Sequence, residues 1–270
     1  MKGGVRRAGI LVIGNEVLDG IILDTNSNWM ELRLASLGVQ VTRLATVRDN
    51  LDEIKHGLLF LREVSDVIFT SGGLGPTHDD MTLDAVAQTF GLRIVEDPRA
   101  AAIVKRQYKM LFEKGIVDSP DYIDSRRKMA LIPEGSVPLD NRVGGAPGVR
   151  LDLDDVVVFC LPGVPAELKF IFDDSVVPWL EERIEGHYYE KIVEFPVKDE
   201  SVFAPLINKA MRKNPGVYIK SMPRRYGTTD VLRVWVSARG ENEERVREIV
   251  ESAIKDLSRL SGTTPTIVSQ

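Results

Sequence analysis

The chain has 270 residues, 43% of them hydrophobic and 28% charged, and a formal net charge of −5. That length is enough for one large domain or two smaller domains with cores of their own. Residues 188–270 hold 14 Lys and Arg against 11 Asp and Glu, which leaves 21 against 29 in residues 1–187. Neither part therefore has the strongly basic balance of a nucleic-acid-binding domain.

The sequence also disfavours a membrane protein and a disulfide-stabilised protein. No apolar run reaches the roughly 18 residues that a membrane span needs, and the N-terminal MKGGVRRAG leads into a strand-like run instead of a signal-peptide core. We therefore expect a cytoplasmic protein. The one cysteine, Cys160, lies inside the apolar run VVVFCLPG, which excludes a disulfide framework and indicates a buried thiol.

Short apolar strands alternate with amphipathic helices in the first half of the chain. This order predicts an α/β fold of three layers, with a mainly parallel sheet covered by helices on both faces. Residues 130–165 have no helical period but several Gly and Pro turns, so we expect irregular strands over one end of the sheet. The predicted strands are 9–13, 39–47 and 66–70, and the predicted helices are 26–37, 51–62, 80–90, 98–115 and 166–184.

A second domain is predicted from the change in element order after the polar segment EGHYYEK, residues 185–191. A βαββα order of about 80 residues forms a small α+β sheet with helices on one face. We therefore predict two domains, 1–187 and 188–270. The predicted elements of the second are 191–197, 201–212, 216–222, 231–238 and 241–260.

The stretch TSGGLGPTHDDMT, residues 70–82, connects a predicted strand to a predicted helix. In parallel α/β sheets, ligands bind beyond the carboxyl ends of the strands. Gly72, Gly73 and Gly75 lack Cβ atoms, so backbone N–H groups can approach a phosphate closely. The sequence therefore predicts an anion site. Its spacing matches neither GxGxxG nor GxxxxGK[ST], and the loop has no lysine, which excludes dinucleotide-type and P-loop sites.

Two adjacent carboxylates, Asp79 and Asp80, oppose a simple phosphate cradle because they repel an anion. A divalent cation between carboxylate and phosphate removes this conflict, since hard ions such as Mg²⁺ prefer oxygen ligands. The alternative is that either residue caps the next helix. We take Asp80 as the candidate metal ligand and Asp79 as the candidate cap. Glu16, after the first strand, is either a second ligand or an exposed loop residue.

Further motifs occur in order along the chain and, with TSGGLGPTHDDMT, closely resemble the CinA-like family. This family is the N-terminal domain type of the competence/damage-inducible protein and is built on the MoaB/MogA molybdopterin-binding fold. The motifs are ILVIGNEVLDG (10–20), DTNSNWMELRLASLG (24–38), VRDN (47–50), RKMALIPEGS (127–136), NRVGGAPGV (141–149) and FCLPGVPAEL (159–168).

The resemblance implies a fold and an activity. The fold is a three-layer, mainly parallel sheet of molybdopterin-binding type, followed by a smaller KH-like α+β module. CinA-like members are linked to hydrolysis of ADP-ribose-type pyrophosphates with a divalent metal, here Mg²⁺, Co²⁺ or Ni²⁺. Asn15 departs from the family's usual small or acidic residue before Glu16. No stretch resembles the C-terminal amidohydrolase domain of bacterial CinA, so deamidation of nicotinamide mononucleotide is not implied.

The resemblance also implies site residues. Asp80, after the glycine loop, and Asp49, after the second strand, match aspartates that handle the pterin and its phosphate or metal, so we expect both to be catalytic. The expected metal ligands are Asp80 and Glu16. The segments GGAPG and LPGVP resemble the family's cleft-lining loops. The expected phosphate or ligand contacts are Ser71, Gly72, Gly73, Gly75, Thr77, Asn26, Lys128, Gly144, Pro147, Gly148, Pro162, Gly163 and Pro165.

For some of these residues a structural role competes with ligand contact. Asn26 can cap a helix, and Lys128 can be a solvated side chain instead of a point charge on a phosphate. Pro165 suits the first turn of a helix, and turn geometry alone accounts for Gly144 and Gly148.

Three functions remain open at this level. The first is a metal-dependent nucleotide pyrophosphatase, a hydrolase that acts on ADP-ribose-type pyrophosphates. The second is a molybdopterin-binding or adenylyltransferase-like protein of molybdenum cofactor biosynthesis, and the third is a non-catalytic nucleotide- or pterin-binding module. In each case the expected ligand is a small-molecule nucleotide or pterin phosphate, and we expect a homo-oligomer.

The smaller domain contains a basic cluster, but Ser, Met and Pro interrupt it and the domain has no GxxG loop. Nucleic-acid binding is therefore not expected. Packing, dimerisation or closure of the cleft over the substrate are the roles predicted for this domain. The cluster consists of Lys220, Arg224, Arg225 and Arg233.

Overall fold

The computed structural model describes residues 4–222 and 231–268. Contacts divide the chain into two compact units, Met1–Ile184 and Glu185–Gln270. The predicted domain boundary, after residue 187, lies just inside the second unit. None of the described helices is both long and apolar enough to cross a membrane.

The first unit is built on a six-stranded sheet and a separate two-stranded ribbon. Its strands are β1 (Arg7–Ile13), β2 (Gln40–Val47), β3 (Val67–Ser71), β4 (Ile94–Glu96), β5 (Leu131–Pro133), β6 (Val137–Leu139), β7 (Gly148–Asp152) and β8 (Val157–Leu161). The order across the sheet is β2-β1-β3-β8-β7-β6, and β4 pairs with β5. The first four strands in that order are parallel, β7 is antiparallel to β8, and β6 is antiparallel to β7.

Helices cover both faces of this sheet. They are α1 (Asn15–Leu18), α2 (Asn26–Ser36), α3 (Leu51–Arg62), α4 (Thr82–Phe90), α5 (Pro98–Glu113), α6 (Asp124–Lys128), α7 (Pro165–Ile171) and α8 (Val177–Glu181). A π-helical turn, Phe172–Val176, joins α7 to α8, so the predicted helix 166–184 is interrupted. Helix α3 begins where Asn50 accepts hydrogen bonds from the N–H groups of Asp52 and Glu53.

Strand side chains alternate between two apolar cores, one on each face of the sheet. In β1, Leu11 and Ile13 join the core that α3, α4 and α5 cover, while Ile10 and Val12 join the core under α2, α7 and α8. In the second core, Phe69 of β3 stacks on a phenylalanine of β8 with 5.4 Å between ring centroids. The predicted three-layer α/β class is confirmed.

Strand β8 occupies the middle of the sheet, where β3 and β7 flank it. All five of its residues are buried. The expectation of irregular strands over one end of the sheet is therefore wrong for 157–161. A strand buried on both faces reads as a continuous apolar run without alternation, and VVVFCL is such a run.

The second unit is an antiparallel sheet with two helices on one face. Its elements are β9 (His187–Phe195), α9 (Glu200–Lys213), β10 (Val217–Met222), β11 (Leu232–Gly240), α10 (Glu243–Ser261) and β12 (Thr266–Val268). The strand order is β10-β11-β9-β12, and Val234 and Val236 of β11 belong to a core with residues of both helices. The predicted βαββα order is present, and the short β12 is a strand that the sequence analysis missed. Arg224 and Arg225 of the predicted basic cluster lie outside the described residues.

Removal of residues 185–270 is expected to leave a folded α/β domain, because the first unit forms both of its apolar cores from its own residues. Circular dichroism and thermal unfolding of the truncated and full chains measure this. We expect native helix content and one cooperative transition for the truncated chain. A truncated chain that binds ANS and unfolds without a cooperative transition would contradict the independence of the two units.

Candidate functional site

A cavity of about 630 Å³ lies at the edge of the main sheet where β1, β3 and β8 end. Loops from distant parts of the sequence meet there because the carboxyl ends of parallel strands share one edge. Lys128, Gly144, Pro147 and Gly148 are predicted site residues that lie outside its lining. The predicted residues that line it are Glu16, Asn26, Asp49, Ser71, Gly72, Gly73, Gly75, Thr77, Asp80, Pro162, Gly163 and Pro165.

The glycine loop, residues 72–77, crosses the sheet edge in close contact with the strand ends. Gly72 has a φ of +110°, and a Cβ atom there would lie 2.2 Å from the carbonyl oxygen of Ile13. Its N–H donates to the carbonyl of Leu161 at 3.0 Å. An L side chain rarely adopts this φ and has no room here. Glycine at position 72 is therefore what allows the loop to turn over the sheet.

Three successive backbone N–H groups, those of Gly73, Leu74 and Gly75, donate to no acceptor among the described residues. Thr82, the first residue of α4, holds the loop by its carbonyls. The Thr82 hydroxyl donates to the carbonyl of Gly72 at 2.9 Å, and the Thr82 N–H donates to the carbonyl of Gly73 at 3.2 Å. Successive unpaired N–H groups in a turn form an anion-binding concavity. These three N–H groups are the donors that the predicted phosphate cradle would use.

The two aspartates after the loop do not cap α4. The helix begins only at Thr82, with Met81 as its N-cap residue and no side-chain cap. Both carboxylates turn back and accept a hydrogen bond from the hydroxyl of Thr77, and Asp80 also accepts from the Thr77 N–H at 2.8 Å. The capping interpretation is wrong because the chain makes another turn, closed by the Asp80 N–H on the Thr77 carbonyl, before the helix starts.

This arrangement concentrates negative charge beside the loop. A hydroxyl has one proton, so Thr77 can donate to only one of the two carboxylates at a time. Its hydrogen bond holds the pKa of Asp79 below the usual range, so Asp79 is ionised at neutral pH. Two carboxylates that converge on one hydroxyl next to unpaired N–H groups create a place where a cation is favourable.

Asp49 faces the same cavity from the loop after β2. Its Oδ2 accepts a hydrogen bond from the N–H of Asn15 at 2.8 Å. Burial raises the pKa of Asp49, the hydrogen bond from Asn15 opposes the rise, and the charges of Glu16 and Asp79 add to it. Asp49 and Glu16, two of the predicted site carboxylates, and Asp79 are thus close enough to repel one another.

Asn26 is a cavity residue and not a helix cap. Its Nδ2 donates to the hydroxyl of Ser71 at 2.9 Å and to the carbonyl of Gly163 at 2.8 Å. These two acceptors fix the orientation of the amide, because the carbonyl of Gly163 requires a donor. The Oδ1 atom is buried and has no hydrogen-bond partner among the described groups, and the residue is 7% exposed. Asn26 therefore offers an unused acceptor for a hydrogen-bond donor.

The cavity is strongly acidic. No Lys, Arg or His belongs to the described residues that line it. Within 4–222 and 231–268, no group of three or more His, Cys, Asp or Glu side chains is arranged to hold a metal ion. Mg²⁺ at phosphates commonly uses one or two carboxylates together with phosphate oxygens, so the donors present fit a metal that binds with its substrate. The lining carboxylates are Glu16, Asp24, Asp49, Asp79, Asp80 and Glu167.

Lys128 clamps the glycine loop from outside the cavity. Its ammonium group donates to the carbonyl of Thr77 and, at 2.6 Å, to the carbonyl of Asp80. The ammonium group is therefore engaged and not freely solvated, and it lies outside the lining of the cavity. A charged donor on two carbonyls fixes the turn that carries both aspartates.

Two glycines of the segment 144–148 pack against side chains of α7 at the border of the cavity. A Cβ atom on Gly144 would lie 2.0 Å from Cδ of Glu167, and one on Gly148 would lie 2.9 Å from Cγ2 of Ile171. The predicted loop reaches the cavity through Gly145 and Ala146 instead. These glycines make room for side chains of α7, which explains their positions without ligand contact.

The sequence analysis missed several cavity residues, of which Asp24, Tyr108 and Glu167 carry polar groups. A signal was available for Glu167, since an acidic residue follows the helix-opening proline of the motif FCLPGVPAEL. Tyr108 lies within a helix that gives no local sign of a site. Its ring reaches the cavity beside Gly145, where a Cβ atom would lie 3.0 Å from Cε2 of the tyrosine.

Comparisons with known proteins agree on the type of the first unit. The family described as "Probable molybdopterin binding domain" matches residues 9–182. A Pyrococcus abyssi protein is 35% identical over 246 residues, 91% of this chain and 94% of its own length. A Caldivirga maquilingensis protein is 39% identical over 263 residues, 96% of this chain and 98% of its own. The crystal structure of the protein CinA, of unknown function, from Thermoplasma acidophilum has a TM-score of 0.59 at 36% identity and covers 64% of this chain and 98% of its own.

Substitution Lys128→Met tests the clamp. It keeps most of the length of the side chain but leaves two carbonyls without their charged donor, so we expect the free energy of unfolding to fall by about 1–3 kcal/mol. The melting temperature of the ligand-free protein should fall by about 2–4 °C per kcal/mol, measured by calorimetry. Lys109→Met, at an exposed position of α5, is the matched control. An unchanged melting temperature in Lys128→Met would contradict the clamp.

Proposed function

This chain belongs to the family of probable molybdopterin-binding domains and is CinA-like, of the MoaB/MogA type, and from this premise we propose that it is a metal-dependent nucleotide pyrophosphatase. The proposed substrates are ADP-ribose-type pyrophosphates. The family itself implies a small-molecule pterin or nucleotide as ligand. Cleavage of a pyrophosphate and dependence on Mg²⁺, Co²⁺ or Ni²⁺ are the finer parts of the proposal.

One observation carries this proposal. Unpaired N–H groups of Gly73, Leu74 and Gly75 adjoin two carboxylates that share the single proton of the Thr77 hydroxyl. The amides attract a phosphate and the carboxylates repel it, so the two groups are compatible only when a cation lies between them. A pyrophosphate with a divalent ion satisfies both.

The residues of the chain then have separate roles. The loop amides bind phosphate oxygens and stabilise the negative charge that develops on them in the transition state. Asp80 and Glu16 hold the divalent ion, which neutralises phosphate charge and acidifies a water molecule when it is bound. Asp49, half-buried on the same wall, helps to orient the attacking water. Lys128 acts only through the loop that it clamps.

A second candidate is a molybdopterin-binding or adenylyltransferase-like function. The family match favours it, as does the acceptor-rich wall of the cavity. The Asn26 Oδ1 and the lining carboxylates can accept hydrogen bonds from the N–H groups of a pterin ring. In this case the same amides hold a pterin phosphate, and a nucleotide is joined to it instead of being cleaved by water.

Product analysis separates these functions. The full chain is incubated with ADP-ribose, FAD or ATP, with and without Mg²⁺, Co²⁺ or Ni²⁺, and with ATP plus a pterin phosphate, and the products are identified by mass. Metal-dependent release of two monophosphates from ADP-ribose or FAD supports the pyrophosphatase. An adenylylated pterin supports the second candidate. Tight binding without turnover in every mixture would overturn both in favour of a non-catalytic binding module.

Substitution Asp80→Asn tests the role of the carboxylate at the loop. The amide keeps the size and can still accept from Thr77 but loses the charge, so the fold should persist while metal binding weakens. We expect turnover to fall at least about 100-fold, or about 2.7 kcal/mol of transition-state stabilisation. Steady-state kinetics and calorimetric titration of the metal measure the two effects.

Asp84→Asn is the control for this experiment. Asp84 lies in the first turn of α4, outside the main cavity, and is half-buried like Asp80. Its substitution should leave turnover and metal affinity unchanged. Near-normal activity and metal dependence in Asp80→Asn would move the metal to the wall formed by Glu16 and Asp49.

A further inference from the structure

Glu167 stands apart from the other carboxylates of the cavity. It belongs to α7, at the end of the strand β8, whereas Glu16, Asp49, Asp79 and Asp80 follow β1, β2 and β3. Its Oε2 accepts a hydrogen bond from Nδ2 of Asn141 at 2.7 Å. No donor among the described residues bonds to its Oε1, although the side chain lines the cavity.

The surroundings hold this carboxylate in one position. Asn141 is fully buried, and its Nδ2 also donates to the carbonyl of Ala146 at 2.7 Å. Its Oδ1 accepts from the N–H groups of Val143 and Gly144, both at 2.9 Å. The backbone of Gly144 approaches so closely that a Cβ atom there would overlap the carboxyl carbon. A neutral amide and a glycine thus fix Glu167 without supplying a positive charge.

The cations nearby in sequence and structure are engaged elsewhere. Arg106 of α5 and Arg142 of the adjoining loop both pair with Asp140. Lys169, on the same helix as Glu167, lies over an aromatic ring. The other titratable groups that line the cavity are carboxylates and the phenol of Tyr108.

Burial therefore governs the protonation of this group. It raises the pKa of Glu167, and only the hydrogen bond from Asn141 opposes the rise. Burial is also the largest cause of the raised pKa of Asp49, but there the charges of Glu16 and Asp79 add to the rise. Glu167 thus lies apart from the cluster of carboxylates that a cation would join, and it has no charged neighbour that contributes to its raised pKa, which suits a proton acceptor.

We propose that Glu167 is the general base of the reaction, an inference that rests on the proposed pyrophosphatase function. Its free Oε1 accepts a proton from a water molecule in the cavity as the water oxygen forms a bond to one phosphorus. The bond from that phosphorus to the bridging oxygen breaks, and the bridging oxygen leaves with its electron pair on the second phosphate. The proton on Glu167 passes to solvent before the next turnover.

The experiment compares the full chain with Glu167→Gln and Glu167→Asp, with ADP-ribose as substrate and the most effective of the three ions. Initial rates are measured from about pH 5 to about pH 9, since a general base must be deprotonated to act. The wild-type kcat should fall as the pH drops below the raised pKa of Glu167, and this fall is the acid limb of the pH–rate profile. Glu167→Gln should lower kcat by about 10²–10⁴-fold, leave KM nearly unchanged and remove the acid limb. Glu167→Asp should keep the limb with an intermediate kcat.

Two further measurements distinguish a base from a structural residue. NMR titration of ¹³C-labelled Glu carboxyls in the metal-free protein should show a resonance with a raised pKa that is absent in Glu167→Gln. Glu31→Gln is the matched control, because burial also raises the pKa of Glu31 but this residue lies outside the cavity lining. It should remove a different resonance and leave the pH–rate profile unchanged.

The outcomes separate the inference from the function beneath it. A wild-type protein that cleaves no pyrophosphate with any ion would overturn both. A wild-type protein that cleaves ADP-ribose, together with a Glu167→Gln variant that keeps kcat and the acid limb, would overturn only the base. A variant with raised KM and normal kcat would likewise overturn it, since Glu167 would then bind substrate without taking a proton.

Discussion

The close passage of the glycine loop over the ends of three parallel strands is the constraint on which the site depends. Gly72 lies against the carbonyl of Ile13 and donates to the carbonyl of Leu161. The loop after β3 is thereby fixed to β1 on one side and to β8 on the other. A larger residue would lift the loop from the sheet edge, and the unpaired N–H groups that follow would no longer face the cavity.

The electrostatics of the cavity follow from that placement. Every ionisable group that lines it among the described residues is a carboxylate or a tyrosine, and the ammonium group of Lys128, beside the glycine loop, donates to two backbone carbonyls. The loop amides favour an anion while the side chains disfavour one. A ligand that brings its own cation resolves this opposition better than a bare phosphate does.

Long-range side-chain contacts complete the site. Asn26 bonds to Ser71, 45 residues away in sequence, and to Gly163, 137 residues away, and Asn141 connects its own loop to Glu167. Both asparagines bury an amide and use it to position loops from different elements. In each case a directional hydrogen bond, and not apolar packing alone, sets where a functional group points.

Local sequence was enough to predict the fold class of the first unit and the position of the candidate site. The periodicity of the strands and helices, and the glycines at positions 72, 73 and 75, were enough to predict a three-layer sheet with an anion site after β3, because these properties depend on residues close together in the chain. The central position of β8, the loop clamp by Lys128 and the direction of the Asp79 and Asp80 carboxylates were decided only in the tertiary structure. A buried strand has no alternation to reveal its neighbours, and a hydrogen bond between residues 48 positions apart, such as that from Lys128 to Asp80, leaves no local pattern.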